Sequence, residues 1–370
     1  MDIEDYTVEL LAAVERNDSA AVARLLPLAD PKHNGSLPLL RAAEAGYTEC
    51  LKLLLPVSDP QAKNNWAVVV AASNGHVECV KLLIPVCNPN ARNGLALQKA
   101  VRKGHTDCVL ALLPFSDPND SEGDALTEAA RSGHIQCVDA LLPRTHPMYY
   151  AKALFWAAND GHVECVQKIM VLCDPKSDDS GALRMAAEEG HSKCVQLLIP
   201  VSNPQDRDNF ALIKASENGH VDCVRLLIPV SNPNAQCSAA LQYAAKNGHT
   251  QCVQELFYVC RKILFRNHCV YLAARYGHTD TVKWLLAHTN SKRKNTEALH
   301  AAVAEGHTEC AKLLYSVSDY KKVHKELIAE YGADNSNGWM DVWDEATTHH
   351  QHAQLSEITA HAGKIRRRKM

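Results

Sequence analysis

A glycine-centred motif recurs at an almost constant interval along this chain. It reads GHVECVKLLIPVCNPNA from Gly75 and GHVDCVRLLIPVSNPNA from Gly219. Consecutive copies are 29 residues apart, with a single step of 28. The motif glycines are Gly46, Gly75, Gly104, Gly133, Gly161, Gly190, Gly219, Gly248, Gly277 and Gly306. A fixed period of this length is typical of repeat proteins, in which each unit stacks on its neighbours. Asn17 lies 29 residues before Gly46 and predicts an eleventh unit.

Each unit is predicted to contain two short helices. In ALRMAAEEGHSKCVQLLIPVSNP, which begins at Ala182, apolar residues at i, i+3 and i+4 indicate the first helix. Gly190 ends that helix, because φ > 0 is cheap only for glycine. Pro200 ends the second helix, HSKCVQLLI, and VSNP begins a connecting loop. Since no unit of this size can bury its apolar face alone, we expect an all-α solenoid of about eleven helix-turn-helix units over residues 1–320.

These units resemble ankyrin repeats. The shared frame is AL-x-x-AA-x-x-GH-x-x-C-V-x-LL over residues 9–315, and Leu299-His300-Ala301-Ala302 is close to the family's T-P-L-H-x-A opening. The resemblance implies a protein-binding scaffold without chemistry of its own, whose ligands lie on the concave side. Most units depart from the family pattern, because the period is 29 rather than about 33 residues and the loop is four residues shorter. We therefore expect the β-hairpin fingers of the family to be short or absent.

Composition and charge argue against several classes of function. The formal net charge is −3 at a pI near 6.7, so no overall field favours nucleic acid or an anionic membrane. No run of about 18 apolar residues predicts a membrane span, and the first residues lack the order of a signal peptide. Fourteen cysteines in so long a chain favour a reducing cytoplasm over a disulfide framework. We expect a monomeric, cytoplasmic protein. The near-identical units indicate recent duplication and favour a host-directed role, inside or delivered into a host cell.

Cysteine and histidine repeat with the motif, which raises the question of a metal array. Nine units carry cysteine four residues after the glycine, and nine carry histidine directly after it. His76 and Cys79 resemble half of a zinc site, but tetrahedral zinc needs four ligands and each unit offers two. We interpret the cysteines as small buried packing residues and the histidines as bonded to a neighbouring loop carbonyl. We therefore expect no metal and no cofactor, with a metal-dependent array as the alternative.

Recognition residues are predicted where the units differ. The pair before each glycine alternates between basic and acidic blocks, and the unit with the 28-residue step is rich in aromatic residues, which favour interfaces. The charged candidates for partner binding, with one tyrosine, are Arg102, Lys103, Arg131, Asp160, Glu188, Glu189, Glu217, Lys246, Arg275 and Tyr276. The aromatic candidates are Tyr149, Tyr150, Phe155 and Trp156. The alternative is an ordinary solvated helix face with aromatic residues filling a local gap.

The pattern degrades towards the C-terminus. We predict a degenerate terminal repeat at 321–346, in which Trp339 and Trp343 cover the last core, and a flexible, amphipathic basic tail at 347–370. Together with the basic loops at 260–267 and 290–295, this tail leaves an alternative function as a nucleic-acid or membrane-surface binder. The sequence contains no phosphate loop, nucleophile elbow or carboxylate pair outside the repeats, so we do not expect an enzyme. The expected partner is another protein, and nucleic acid is disfavoured.

Overall fold

The computed structural model describes residues 3–260, 263–289, 292–332 and 338–368, and all regular elements in these ranges are helices. The chain divides into two compact units, Met1–Ser177 and Asp178–Met370. The first contains α1 (Ile3–Glu15), α2 (Ser19–Leu25), α3 (His33–Ala45), α4 (Thr48–Leu54), α5 (Ala62–Ser73), α6 (Val77–Leu83), α7 (Ala91–Arg102), α8 (Thr106–Leu112), α9 (Asp120–Arg131), α10 (Ile135–Leu141), α11 (Tyr150–Asn159) and α12 (Val163–Ile169).

The second unit begins with α13, whose first residue, Ser177, is the last residue of the first unit. Its helices are α13 (Ser177–Glu188), α14 (Ser192–Leu198), α15 (Asp206–Glu217), α16 (Val221–Leu227), α17 (Ala239–Lys246), α18 (Thr250–Phe257), α19 (Ile263–Arg275), α20 (Thr279–His288), α21 (Lys292–Ala304), α22 (Thr308–Tyr315), α23 (Tyr320–Tyr331) and α24 (Trp339–Arg368). Short 3₁₀ turns lie at Leu113–Phe115, Leu142–Arg144, Pro147–Tyr149 and Ala235–Cys237.

The motif glycine separates the two helices of a repeat, as predicted. All ten motif glycines have φ between 73° and 82°, the left-handed region in which a side chain is disfavoured. Asn17 has φ 57° and takes the same place between α1 and α2, so the predicted eleventh repeat is present. The second helix is short: α14 ends at Leu198, two residues before Pro200.

The core lies between two layers of helices. Within each unit, first helices pack on first helices, as α5 does on α3 and α7, and second helices pack on second helices, as α6 does on α4 and α8. The residues between the layers are small or branched: Ala129 and Ala130 are fully buried, and Cys137 and Val138 behind them are too. This layered stack confirms the predicted helical solenoid.

The connections between repeats are not hairpin fingers. The described residues contain no β-strand, and five connections instead hold three consecutive residues in the left-handed conformation. In one of them, Lys63, Asn64 and Asn65 have φ between 53° and 60°. The third residue ties the connection to the next one, since the Asn88 N–H donates to Asn65 Oδ1 at 2.7 Å. Ser36 accepts in the same way from the Asp59 N–H at 2.8 Å.

The last helix covers the end of the second unit. Helix α24 is 30 residues long and packs on α22, where the rings of Trp343 and Tyr315 lie 5.4 Å apart. Trp339 instead meets His324 on α23 at 5.9 Å, and the two tryptophans, Trp339 and Trp343, are 1% and 7% exposed. The predicted boundary at 346/347 falls inside this continuous helix. Leu355 is exposed, while Ile358, Ala362 and Ile365 lie outside the residues whose side chains the structure describes.

Candidate functional site

A shallow groove crosses three neighbouring first helices of the first unit, α7, α9 and α11. It has a volume of ≈ 310 Å³. The groove is lined by Leu95, Gln98, Lys99, Arg102, Asp124, Thr127, Glu128, Arg131, Lys152 and Trp156.

Ion pairs join neighbouring repeats across this groove. Arg102 Nε lies 2.8 Å from Glu128 Oε1, and Lys152 Nζ lies 3.0 Å from Asp124 Oδ1. These pairs are well exposed to solvent, so each contributes little to stability. Lys99 forms no ion pair within the described residues. The groove therefore presents more positive than negative charge to an approaching ligand.

Trp156 lies at the α11 end of the groove, beneath a cation. The guanidinium carbon of Arg131 is 4.6 Å from the centre of the indole ring, within range of a cation–π interaction. Arg131 Nε also lies 3.4 Å from Asp160 Oδ2, and the ring of Phe155 meets the indole edge-on at 5.4 Å. The indole is half-buried, so it is held in place while part of its surface remains accessible.

The other aromatic candidates lie at the first residue of α11 and in the 3₁₀ turn before it, rather than in the groove. The Tyr150 hydroxyl donates to the Leu142 carbonyl at 2.8 Å, so this side chain stabilises the connection between α10 and α11. Tyr149 meets His146 edge-on at 6.4 Å. The structure thus brings Phe155 and Trp156 together but places Tyr149 and Tyr150 apart from them. Lys103 is exposed beyond the end of α7.

Most charged candidates of the second unit have a partner within that unit. Lys214 lies between Glu188 and Glu217, at 3.6 Å and 2.9 Å, and its hydrogen bond to Glu217 raises the pKa of Lys214. Lys246 lies 5.3 Å from the ring centre of Tyr276, and Arg275 lies 3.3 Å from Glu305. Glu189 is exposed. The alternating blocks of charge are therefore largely neutralised between adjacent repeats.

The repeated histidines connect successive repeats within each compact unit. His76 Nε2 lies 3.0 Å from the carbonyl oxygen of Glu44, and His105 Nε2 lies 3.2 Å from that of Ser73. The predicted bond from the ring nitrogen is confirmed, but its acceptor is the last turn of the preceding first helix and not a loop. Because a carbonyl only accepts, Nε2 carries the proton and is already engaged.

The repeated cysteines are buried thiols. Burial raises the pKa of Cys165 to about 11 and that of Cys223 to about 12, so both remain protonated at neutral pH. In the part of the chain that the structure describes, no group of three or more His, Cys, Asp or Glu side chains is arranged to hold a metal ion. The packing interpretation accounts for the burial of both Cys165 and Cys223.

Two surface features escaped the sequence analysis. A cavity of ≈ 1160 Å³ lies on α19, α21 and α23 and includes Tyr271, His300 and Glu330 in its lining. Exposed apolar residues also follow the helix-ending prolines, as Val57 follows Pro56. The signal for the second feature was available: an apolar residue directly after the proline recurs with the 29-residue period.

The structure describes only some of the basic residues on which the alternative nucleic-acid or membrane-surface function depends. Arg261, Lys262 and Ser291 lie outside the described residues, and so do the side chains of the basic segment 364–368. Among the helices that the structure describes, none combines the length and the apolar character that crossing a bilayer requires.

Comparison with known proteins identifies the repeat. A family model described as ankyrin repeats (3 copies) matches residues 10–93, 68–152, 183–266 and 241–326, which together cover more than half of the chain. None of the curated proteins compared with the chain matches it. The matches fall in both compact units and follow the helix pairs described above. The chain therefore belongs to the ankyrin-repeat family, whose helical solenoids serve as scaffolds for protein–protein interaction.

Proposed function

We propose that the chain is a non-enzymatic scaffold that binds a partner protein in the groove on α7, α9 and α11. The observation that carries the proposal is Trp156, a half-buried indole beneath Arg131 at the edge of a cationic groove. Tryptophan and arginine are the residues most enriched among interface hot spots. A surface built on packed helices is already ordered, so binding there loses little conformational entropy.

The partner's chemistry follows from the groove. Arg102, Arg131 and Lys152 are each matched by one carboxylate, whereas Lys99 and the neighbouring Lys103 are not. We infer an acidic segment of the partner, carrying an apolar side chain for Trp156. By binding that segment the scaffold occludes or recruits its partner. The free thiols support a cytoplasmic location, and a host-directed role and a monomeric state belong to the same proposal.

The test is affinity capture from nuclease-treated lysate, with the full chain and two variants. Trp156→Ala removes the indole of the groove. Trp66→Ala is the matched control, because Trp66 is also half-buried and lies 5.1 Å beneath Arg92, but outside the groove. We expect one protein to be retained in stoichiometric amount by the full chain and by Trp66→Ala. Its retention should fall about tenfold with Trp156→Ala, in the range of a hot-spot substitution.

Two results would contradict the proposal. Equal capture by the full chain and by the Trp156→Ala variant would show that the groove does not bind the partner. Capture that occurs only when nuclease treatment is omitted would instead favour the nucleic-acid function. Circular dichroism of both variants verifies that the helices are intact before capture is compared.

A further inference from the structure

Four exposed apolar side chains form a row at the ends of successive second helices in the first unit. Leu28, Val57, Val86 and Phe115 are between 39% and 55% exposed. Each follows an exposed proline and occupies the same position after α2, α4, α6 and α8. We call these four residues the turn ladder. Soluble proteins seldom expose apolar residues in a continuous row unless something binds there.

The ladder is not needed for the turn itself. The fifth connection has Arg144 at the corresponding position, with Nη1 donating to the Leu113 carbonyl at 3.0 Å, and its turn forms as the others do. A polar side chain is therefore compatible with the fold at this position. The apolar character of the four preceding positions is thus available for contact with another molecule.

A row of carboxylates runs beside the ladder. Asp30, Asp59 and Asp117 lie two residues after Leu28, Val57 and Phe115, and all three are exposed. One oxygen of each accepts the N–H two residues further on, at 2.9–3.0 Å, and none forms an ion pair within the described residues. By contrast, Glu49 on α4 is paired with Lys52 at 2.7 Å.

The spacing of the ladder fits a helix. Packed helices lie about 8–10 Å apart, and α2, α4, α6 and α8 pack on one another in order. Positions seven residues apart on an α-helix are about 10 Å apart and lie on nearly the same face. We infer that the turn ladder binds an amphipathic helix of a partner protein, with an apolar residue at every seventh position and lysine or arginine beside it.

Two other occupants fit less well. A strand would need an exposed sheet edge, and the described residues contain no strand. A second copy of the chain would match the period, but its own Asp30, Asp59 and Asp117 would then face the same row of carboxylates. Like charges opposed in this way disfavour the contact. The carboxylates therefore select a basic helix.

The test uses fluorescein-labelled designed helical peptides of about 22 residues, which span four ladder positions. One carries leucine at every seventh position with lysine on both sides. A second has glutamate in place of each lysine. Binding to the full chain is measured by fluorescence anisotropy. We expect the lysine peptide to bind at least about tenfold more tightly than the glutamate peptide.

Two variants separate the apolar and charged contributions. The ladder variant replaces Leu28, Val57, Val86 and Phe115 by serine and should weaken binding of the lysine peptide about tenfold. The charge variant, Asp30→Asn with Asp59→Asn and Asp117→Asn, should weaken it about fivefold. Asparagine keeps the turn, because Asn88 already accepts the Asn90 N–H at 3.0 Å.

A matched control carries serine at Ile3, Val8, Met148 and Val171, which are at least as exposed but lie outside the ladder, and should bind like the unmodified chain. Failure of the lysine peptide to bind, or equal binding by the ladder variant, would overturn the inference. A dimer that the ladder variant abolishes would overturn it in favour of a second copy. Trp156→Ala should leave peptide binding unchanged, which separates this surface from the proposed groove.

Discussion

At the scale of single residues, the Gly-His pair of the motif is one contact repeated along the chain. At eight of the motif glycines, the histidine ring of the following repeat lies against the glycine. A Cβ at Gly75 would be 2.8 Å from His105 Nδ1, and one at Gly277 would be 2.6 Å from His307 Nδ1. Glycine is therefore required twice at these positions, for its positive φ and for the space that the ring occupies.

This contact predicts different costs for two similar substitutions. Gly277→Ala should destabilise the chain by about 1–2 kcal/mol for the left-handed backbone and by a further ~1–3 kcal/mol for the clash with His307. Gly306→Ala is the control, because φ is 80° there and nothing lies within 4 Å of an added Cβ. Urea unfolding measures the loss in the free energy of unfolding for both variants. Equal losses would show that the ring contact contributes nothing.

One half-buried histidine of the motif also predicts a dependence on pH. Burial is the main reason that the pKa of His249 is lowered, and the charges of His278 and His220 lower it further. Below about pH 6.5 the unfolded chain binds a proton that the folded chain resists. The free energy of unfolding should therefore fall as the pH drops from about 7.5 to 5.5. His249→Gln should reduce that slope, whereas His352→Gln, at an exposed position, should not.

At the scale of elements, four of the five left-handed connections are held by a tertiary hydrogen bond to the side chain of their third residue. Asn65→Ala removes the acceptor of the Asn88 N–H and should cost about 1–3 kcal/mol in addition to backbone strain. Asn64→Ala is matched, because Asn64 has φ 58° but is exposed and its side chain has no such role. Thermal unfolding followed by circular dichroism compares them. A smaller loss for Asn65→Ala than for Asn64→Ala would contradict this account.

The helix pairs were predictable from sequence, and the connections were not. Gly190 and Pro200 mark the ends of α13 and α14 to within two residues, because both act through the backbone locally. The left-handed turns vary in sequence, and the bond that selects them joins residues 23 apart, such as Asn65 and Asn88. No local pattern reports such a bond.

At the scale of the whole molecule, the sequence predicts which charges alternate but not which remain unpaired. The groove candidates Arg102 and Arg131 each find a carboxylate on the next repeat, and that pairing depends on how far side chains reach between helices. Trp156 was predicted from composition alone. Its position beneath Arg131 required the stacking of α9 on α11.

In a stacked array, removing the last helix should destabilise the neighbouring repeats more than the distant ones. A chain ending after residue 332 lacks Trp343, which contacts Tyr315 on α22, and Trp339, which contacts His324 on α23. It should lose about 3–5 kcal/mol, as when a buried tryptophan is removed. In an array the effect is strongest in the adjacent repeats, so hydrogen exchange should accelerate in α21 to α23 and remain unchanged in the first unit.

The control for this truncation ends after Gln351. It keeps both tryptophans, Ala346 and the contact of His350 with Tyr315, whose ring centres are 5.3 Å apart. Its stability and its exchange pattern should match those of the full chain, because residues 352–357 are exposed. If the control lost as much stability as the shorter chain, the remainder of α24 would contribute to the fold and the cap would extend beyond the two tryptophans. Equal exchange in both chains would mean that the core of α22 does not depend on α24.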